Sequence, residues 1–181
     1  MNIATKNLEN DHIHILKLID VMKSMVKSEK PDVKHIDKII DIIRNYADGL
    51  HHAKEESHFF PALEEKGFSP DKGPVAMMLY EHTQGRNFVK GISDNVELFK
   101  KGIEPALDDV YRNMSGYAEL LTNHIAKENN VLFRLADNAL TDAEQKYLLA
   151  QFESIEQSCP AGRKVSDYVD QINDLALYYN V

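Results

Sequence analysis

The 181-residue chain has a single cysteine, no tryptophan and a shortage of positive charge. With Cys159 alone, an internal disulfide and any Cys-x-x-Cys metal or redox motif are excluded. Twenty-one Lys and Arg stand against 29 Asp and Glu, a formal net charge of −8. That balance leaves no basic field to hold a nucleic-acid backbone or an anionic membrane face. No apolar run approaches the ~18 residues that a membrane span needs. The first residues, M-N-I-A-T-K-N-L-E-N-D-H, lack the apolar centre of a secretory signal. Alternating polar and apolar residues are rare and no hairpin turn signal occurs, which excludes a sheet-based fold. The expectation is an acidic cytoplasmic protein, without nucleic-acid or membrane partners. Its length suits one domain and buries roughly two-thirds of the unfolded surface.

What the chain does have is helical periodicity between clear breakers. Pro31-Asp32, Gly67 to Pro74, Gly102 to Pro105 and Pro160 to Gly162 divide it into segments too long for strands. The first, Thr5 to Ser28, carries Leu8, Ile15, Ile19, Met22 and Val26 on one stripe. The second, Asp32 to Lys66, carries Val33, Ile36, Ile40, Ile43, Ala47 and Ala62. The third, Pro74 to Lys101, carries Val75, Met78, Leu79, Val89, Ile92 and Val96. The fourth, Glu104 to Asn138, carries Val110, Met114, Leu121, Val131 and Leu135. Each reads as an amphipathic helix. Thr141-Asp-Ala-Glu144 is a capping box that opens a fifth helix to about Gln157, and Lys164 to Tyr179 reads as a sixth. The expected fold is all-α: an up-down-up-down four-helix bundle over residues 1–140, with a C-terminal helical extension at 141–181 packed on it.

Eight histidines are present, and four fall where the stripes call for apolar residues. In H-H-A-K-E-E-S-H, residues 51–58, His51 and Glu55 lie about 40° apart around the helix and about 6 Å along it. Both continue the stripe of Ile40 and Ala47. The fourth helix repeats the unit as His124-Ile-Ala-Lys-Glu128, on the stripe of Tyr117 and Leu121. His12 and His82 occupy the stripes of the first and third helices. Each helix thus aims one histidine inward and two add a carboxylate. A buried carboxylate is costly unless paired or bound to metal. Imidazoles with carboxylates suit Fe, Mn or Zn. Six such groups exceed what one catalytic zinc takes and fit two ions sharing carboxylates. Iron is the expected metal, with Mn or Zn as substitutes, because such a centre leaves open positions for a small diatomic ligand. A second register stays open: Glu9-x-x-His12 and Glu55-x-x-His58 are both Glu-x-x-His, the unit of ferritin-like di-iron proteins.

The segments D-H-I-H-I-L, H-H-A-K-E-E-S-H-F-F-P-A-L, M-L-Y-E-H-T-Q-G-R and H-I-A-K-E-N-N-V-L-F resemble the four signature segments of hemerythrin-like (HHE cation-binding) proteins. They come in that family's order and spacing, over residues 5–138. The resemblance implies a four-helix bundle with a non-haem di-iron centre. It carries the ligands over to His12, His51, Glu55, His82, His124 and Glu128, with both carboxylates bridging the ions. One position departs: oxygen-carrying members have a second histidine one turn after the third-helix ligand, where this chain has Arg86. His58 (about 20° from His51 in projection), Glu56 or a solvent molecule are the candidates to fill that gap. His14 points away from the stripe and His35 is expected to be exposed.

Around such ligands, further groups set reactivity. Tyr117, seven residues before His124, is placed to donate a hydrogen bond or a proton. Arg86 is placed to hold a bound anion or to pair with Glu81, Glu56 or a bridging carboxylate. Three functional classes fit. The first is a protein that binds O2, NO or peroxide for sensing, storage or detoxification. The second is an enzyme that turns those molecules over. The third is a structural metal bundle that serves a protein partner or a homodimer. The residues given include no output domain, which weighs against a multi-domain sensor.

Overall fold

The computed structural model describes residues 3–28 and 31–181. Six helices run through them: α1 (Ala4–Val26), α2 (residues 33–64), α3 (Pro74–Lys100), α4 (residues 106–139), α5 (Asp142–Gln157) and α6 (Val165–Tyr179). No strand occurs among the described residues. Helix ends fall within about two residues of the sequence expectation because the signals there are local and strong. The Asp32 side chain caps α2 by accepting from the His35 N–H at 3.1 Å. Thr141 and Glu144 form the expected capping box of α5. Gly67, Gly73 and Gly102 take positive φ in the connections, the backbone state that favours glycine.

Two apolar layers fix the helix directions. One joins Ile15 and Met22 of α1, Ile39 and Tyr46 of α2, Ile92 and Val96 of α3, and Val110 and Met114 of α4. The other joins Leu8 of α1, Phe59 and Leu63 of α2, Val75 and Met78 of α3, and Leu132 and Phe133 of α4. Consecutive helices meet the layers in opposite order, so the bundle runs up-down-up-down. Tyr168 and Ile172 of α6 join the first layer, and Leu148 and Phe152 of α5 join the second. α3 and α4 approach closely where Gly91 faces Asn113 and Gly116 faces Phe88, with no room for a Cβ at either glycine. Between the layers, all four bundle helices carry polar residues.

The helices that border this polar layer are not regular. α2 is π-helical over Ile43–His52 and Glu55–Phe59, and α4 over Glu128–Leu132. The Ala53, Phe60 and Phe133 N–H groups bond the carbonyls of Asp48, Glu55 and Glu128, five residues back. Each wide turn takes up an extra residue and turns the following stripe. This corrects the expected core of α4: Val131 and Leu135 are 51% and 39% exposed, while Leu132, Phe133 and Ala136 are buried. In α2 the buried residues are likewise Phe59, Phe60 and Leu63 rather than Ala62. The second π turn of α2 ends just before Pro61, which has no N–H to give to a regular ladder.

His35 is also corrected. It is not free in solvent: its Nδ1 is 3.0 Å from the Tyr179 hydroxyl and its ring meets Tyr178 edge-on at 4.5 Å. The start of α2 is thereby tied to the end of α6.

Gly49 tests the π turn in α2. A Cβ there would stand 2.9 Å from the Arg44 carbonyl oxygen, five residues earlier, where no side chain can move aside. In a regular exposed helix Gly→Ala stabilises by about 0.5–1 kcal/mol. Gly49→Ala is expected to give no such gain in urea unfolding. A full gain would mean that this turn relaxes to an ordinary α-helix at no cost.

Candidate metal centre

Seven ligand-type side chains fill the polar layer: His12 from α1; His51, His52 and Glu55 from α2; His82 from α3; His124 and Glu128 from α4. All are buried, and Glu55 and Glu128 are 0% exposed. Their donor atoms form two overlapping sets. His12, His51, Glu55 and Glu128 make one; His52, Glu55, His82 and His124 make the other; within each, the donor atoms lie within 4.8 Å of one another. Glu55 belongs to both. Glu128 reaches both as well, since its Oε2 is 3.2 Å from His12 Nε2 and 3.3 Å from His124 Nε2.

Each imidazole is oriented from behind. Nδ1 of His12 faces Asn129 Oδ1 at 2.7 Å, that of His51 faces Asp11 Oδ2 at 3.4 Å, and that of His52 faces Asp48 Oδ1 at 3.2 Å. Nδ1 of His82 faces Glu56 Oε1 at 2.7 Å, and that of His124 faces Glu81 Oε2 at 2.9 Å. An acceptor at Nδ1 places the proton there, so all five Nε2 atoms turn inward. The acceptors are held in turn. Arg86 bonds Asp48 through Nε at 2.8 Å and Glu56 through Nη2 at 2.7 Å, and Lys127 bonds Glu81. Three phenyl rings close the end of the layer: Phe133 stacks on His12 at 5.5 Å, Phe60 stacks on His82 at 5.7 Å, and Phe59 meets Phe133 edge-on.

On the inner side the carboxylates and one imidazole are left without partners. All four oxygens of Glu55 and Glu128, and Nε2 of His52, are buried with no hydrogen bond. Each unsatisfied buried group costs about 1–3 kcal/mol, more when charged. Nε2 atoms converge in pairs, His12 with His51 at 3.0 Å and His82 with His124 at 3.2 Å. Adjacent nitrogens on one octahedral cation with ~2.1 Å bonds stand ~3.0 Å apart. The donor set therefore fits a pair of cations with shared carboxylates.

The electrostatics of the side chains alone show the same demand for positive charge. Burial and the Glu128 charge push the Glu55 carboxyl up to about 8. Burial opposes ionisation of Glu128 too, but His124 and His12 outweigh it and hold it low. Burial works against a charged His82, yet Glu55 and Glu56 outweigh it and raise it to about 9. His12 is raised by Glu128 against its own burial. Burial, with His12 and His52 nearby, pushes His51 far down; burial and His82 push His52 down to about 3. Two carboxylates this close cannot both ionise in a dry site without cations beside them. The upward shifts of Glu55, His12 and His82 all favour a bound proton, so a cation in their midst would compete with protons.

Every group read from the sequence as a ligand lies in this cluster, and His52 joins it. At the gap expected opposite Arg86 stands His52 from α2, which lies in the second donor set with Glu55, His82 and His124, whereas His58 is in neither set. His52 stacks on His82 with ring centroids 3.8 Å apart. His58 lies instead in a surface pocket with Pro61, Glu65 and Tyr147. Glu9 pairs with Arg134 and Lys6, so the Glu-x-x-His register is not assembled. Glu56 and Glu81 stand behind His82 and His124. Arg86 does not face the inner cavity; it spans Asp48 and Glu56. Tyr117 is buried beside His52, with Gly85 and Arg86, along a pocket of about 140 Å3, and burial raises its hydroxyl. The signal for His52 was present in H-H-x-x-E. Glu55 projects between His51 and His52, about 40° and 60° from them, and Asp48 precedes His52 by one turn.

Residues 4–136 match the family profile described as Hemerythrin HHE cation binding domain. Curated relatives include uncharacterized proteins of Mycobacterium tuberculosis and Mycobacterium bovis. Each is 20% identical over 176 residues, spanning 95% of this chain and 68% of the relative. No solved structure matches significantly.

His52→Ala is expected to lower metal content from about two to about one per chain, with helix content unchanged by circular dichroism. His58→Ala is expected to change neither. Equal metal loss in both variants would remove His52 from the centre.

Proposed function

This chain belongs to the hemerythrin HHE cation-binding family, and on that premise we propose that it is a non-haem di-iron protein that binds O2, NO or peroxide. The observation that carries this reading is the pair of buried carboxylates, Glu55 and Glu128, whose four oxygens have no hydrogen-bond partner between two sets of inward Nε2 atoms. His12, His51, His52, Glu55, His82, His124 and Glu128 would hold two iron ions, which would supply reversible redox chemistry toward a small oxidant. The side chains do the rest. Five neutral imidazoles give nitrogen ligands without added charge, and the two carboxylates offset part of the ions' positive charge. Phe59, Phe60 and Phe133 keep water from one end of the layer. The pocket between α2 and α3, lined by Ile43, Gly85, Val89 and Tyr117, leads a small molecule toward His52.

One observation favours turnover as a second reading. Tyr117 is buried and lines that pocket together with His52, so it is the hydroxyl in the lining to serve as a proton donor. That would serve consumption of peroxide, O2 or NO.

Metal analysis of protein from iron-fed cells, read with absorption spectra, tests both. The expected result is about two irons per chain, with near-ultraviolet bands that bleach on anaerobic reduction and return in air. Fewer than two metals of any kind, Mn and Zn included, would sink the reading. Steady O2 release from added peroxide, abolished by Tyr117→Phe with iron retained, would select turnover.

A further inference from the structure

We propose that Glu156, on α5 beyond the matched family region, is a positioning residue for the metal centre, acting on His51 through Lys54 and Asp11. The proposal rests on the metal reading above, and its observation is a buried cation with an unusual set of partners. Lys54 is 1% exposed, next to Glu55 in the sequence. A lysine is almost never so buried unless it is paired. Its Nζ donates to Asp11 Oδ2 at 2.8 Å, to Asn7 Oδ1 at 3.0 Å and to Glu156 Oε1 at 2.6 Å. The same Asp11 Oδ2 faces His51 Nδ1 at 3.4 Å. Phe152, one turn before Glu156, lies 5.9 Å from Lys54 Nζ. Leu148 and Phe152 seat α5 on the second apolar layer, and Gln145 accepts from the Ala4 N–H at 2.9 Å, so the helix carrying Glu156 is fixed against α1 and α2.

The direction of the effect follows from charge. A carboxylate behind an imidazole makes its inner nitrogen a stronger donor to a metal. A lysine on that carboxylate draws its charge away from the imidazole. Glu156 shares the lysine and so returns part of Asp11's charge to His51. A neutral residue at 156 leaves Lys54 wholly on Asp11 and weakens His51 as a ligand. His52, His82 and His124 have other groups behind them, so they are not touched.

The test uses the full chain and a Zn2+ titration, with imidazole 15N resonances showing which set of histidines fills. Glu156→Gln is expected to weaken binding at the His12 and His51 set a few-fold, less than the roughly tenfold or more for loss of a group directly behind a ligand, and to leave the other set far less affected. It is also expected to shift the His51 resonance before any metal is added. Leu148→Ala, which loosens α5 without touching the charged chain, is the control: it should lower the melting temperature with no selective loss at His12 and His51. A melting loss in Glu156→Gln with both sets and the His51 signal unaltered would overturn the proposal, as would an equal loss at both sets or the same selective loss in Leu148→Ala. Failure of the metal reading itself is separate, because then the unaltered chain takes up no Zn2+ at either set.

Discussion

Two carboxylates stand at the centre of the bundle with nothing to bond. Glu55 and Glu128 are 0% exposed, and none of their oxygens has a hydrogen-bond partner. A fold does not carry such groups without compensation, because an ionised carboxylate in a dry interior loses its hydration and gains nothing. Every other feature near them lowers that cost or enforces it. The five imidazoles bring nitrogen atoms to the same place. The apolar layers on either side prevent the carboxylates from turning to water. The groups behind the imidazoles hold the rings with Nε2 toward the carboxylates. The two donor sets meet at Glu55, which belongs to both.

The π turns are the local device that makes this possible. In α2, His51, His52 and Glu55 face one interior layer, although neighbouring residues on a regular helix diverge by about 100°. The wide turn through Ile43–His52 and the one opening at Glu55 relax that divergence. The turn opening at Glu128 does the same for α4, so each His-x-x-x-Glu unit is followed by one extra residue. That residue brings Phe59 and Phe133 round to close the layer. An irregular backbone and its associated strain are common at functional sites, where the surrounding packing holds them.

The fold was legible because capping residues, prolines, glycines and apolar spacing all act over a few residues. So were the six groups on the apolar stripes, since a charged or imidazole side chain on a buried face breaks a simple rule. The π turns were not legible. They depend on which hydrogen bond wins between i−4 and i−5, a choice made by packing around the site. Val131 and Leu135 were therefore read onto the wrong face, one residue out of step. His52 was passed over for the same reason: next to His51 on a regular helix, it looks turned aside. Arg86 was legible as a departure and as a partner of Glu56, but its bond to Asp48 was not, because that residue is 38 positions away and meets it only in space. The partners of Lys54 come from α1 and α5, more than 40 and 100 residues away, and no local pattern announces them.

The two halves of the centre are unequal, and the inequality has a physical consequence. One side has three imidazoles, and the carboxylates behind them, Asp48, Glu56 and Glu81, are tied to Arg86 and Lys127, whose side chains are 42% exposed. The other side has two imidazoles, backed by Asn129 and by Asp11 with its buried Lys54. The cations behind the first set are half-exposed and screened by solvent, whereas Lys54 behind the second is buried. The two-imidazole side is thus tied by buried charge to α1 and α5, whereas the three-imidazole side is tied to cations at the surface. The small-molecule pocket meets the screened side, at His52 and Tyr117. The pocket at His52 and the contact of α5 with Lys54 therefore lie on opposite sides of Glu55, the one carboxylate common to both donor sets.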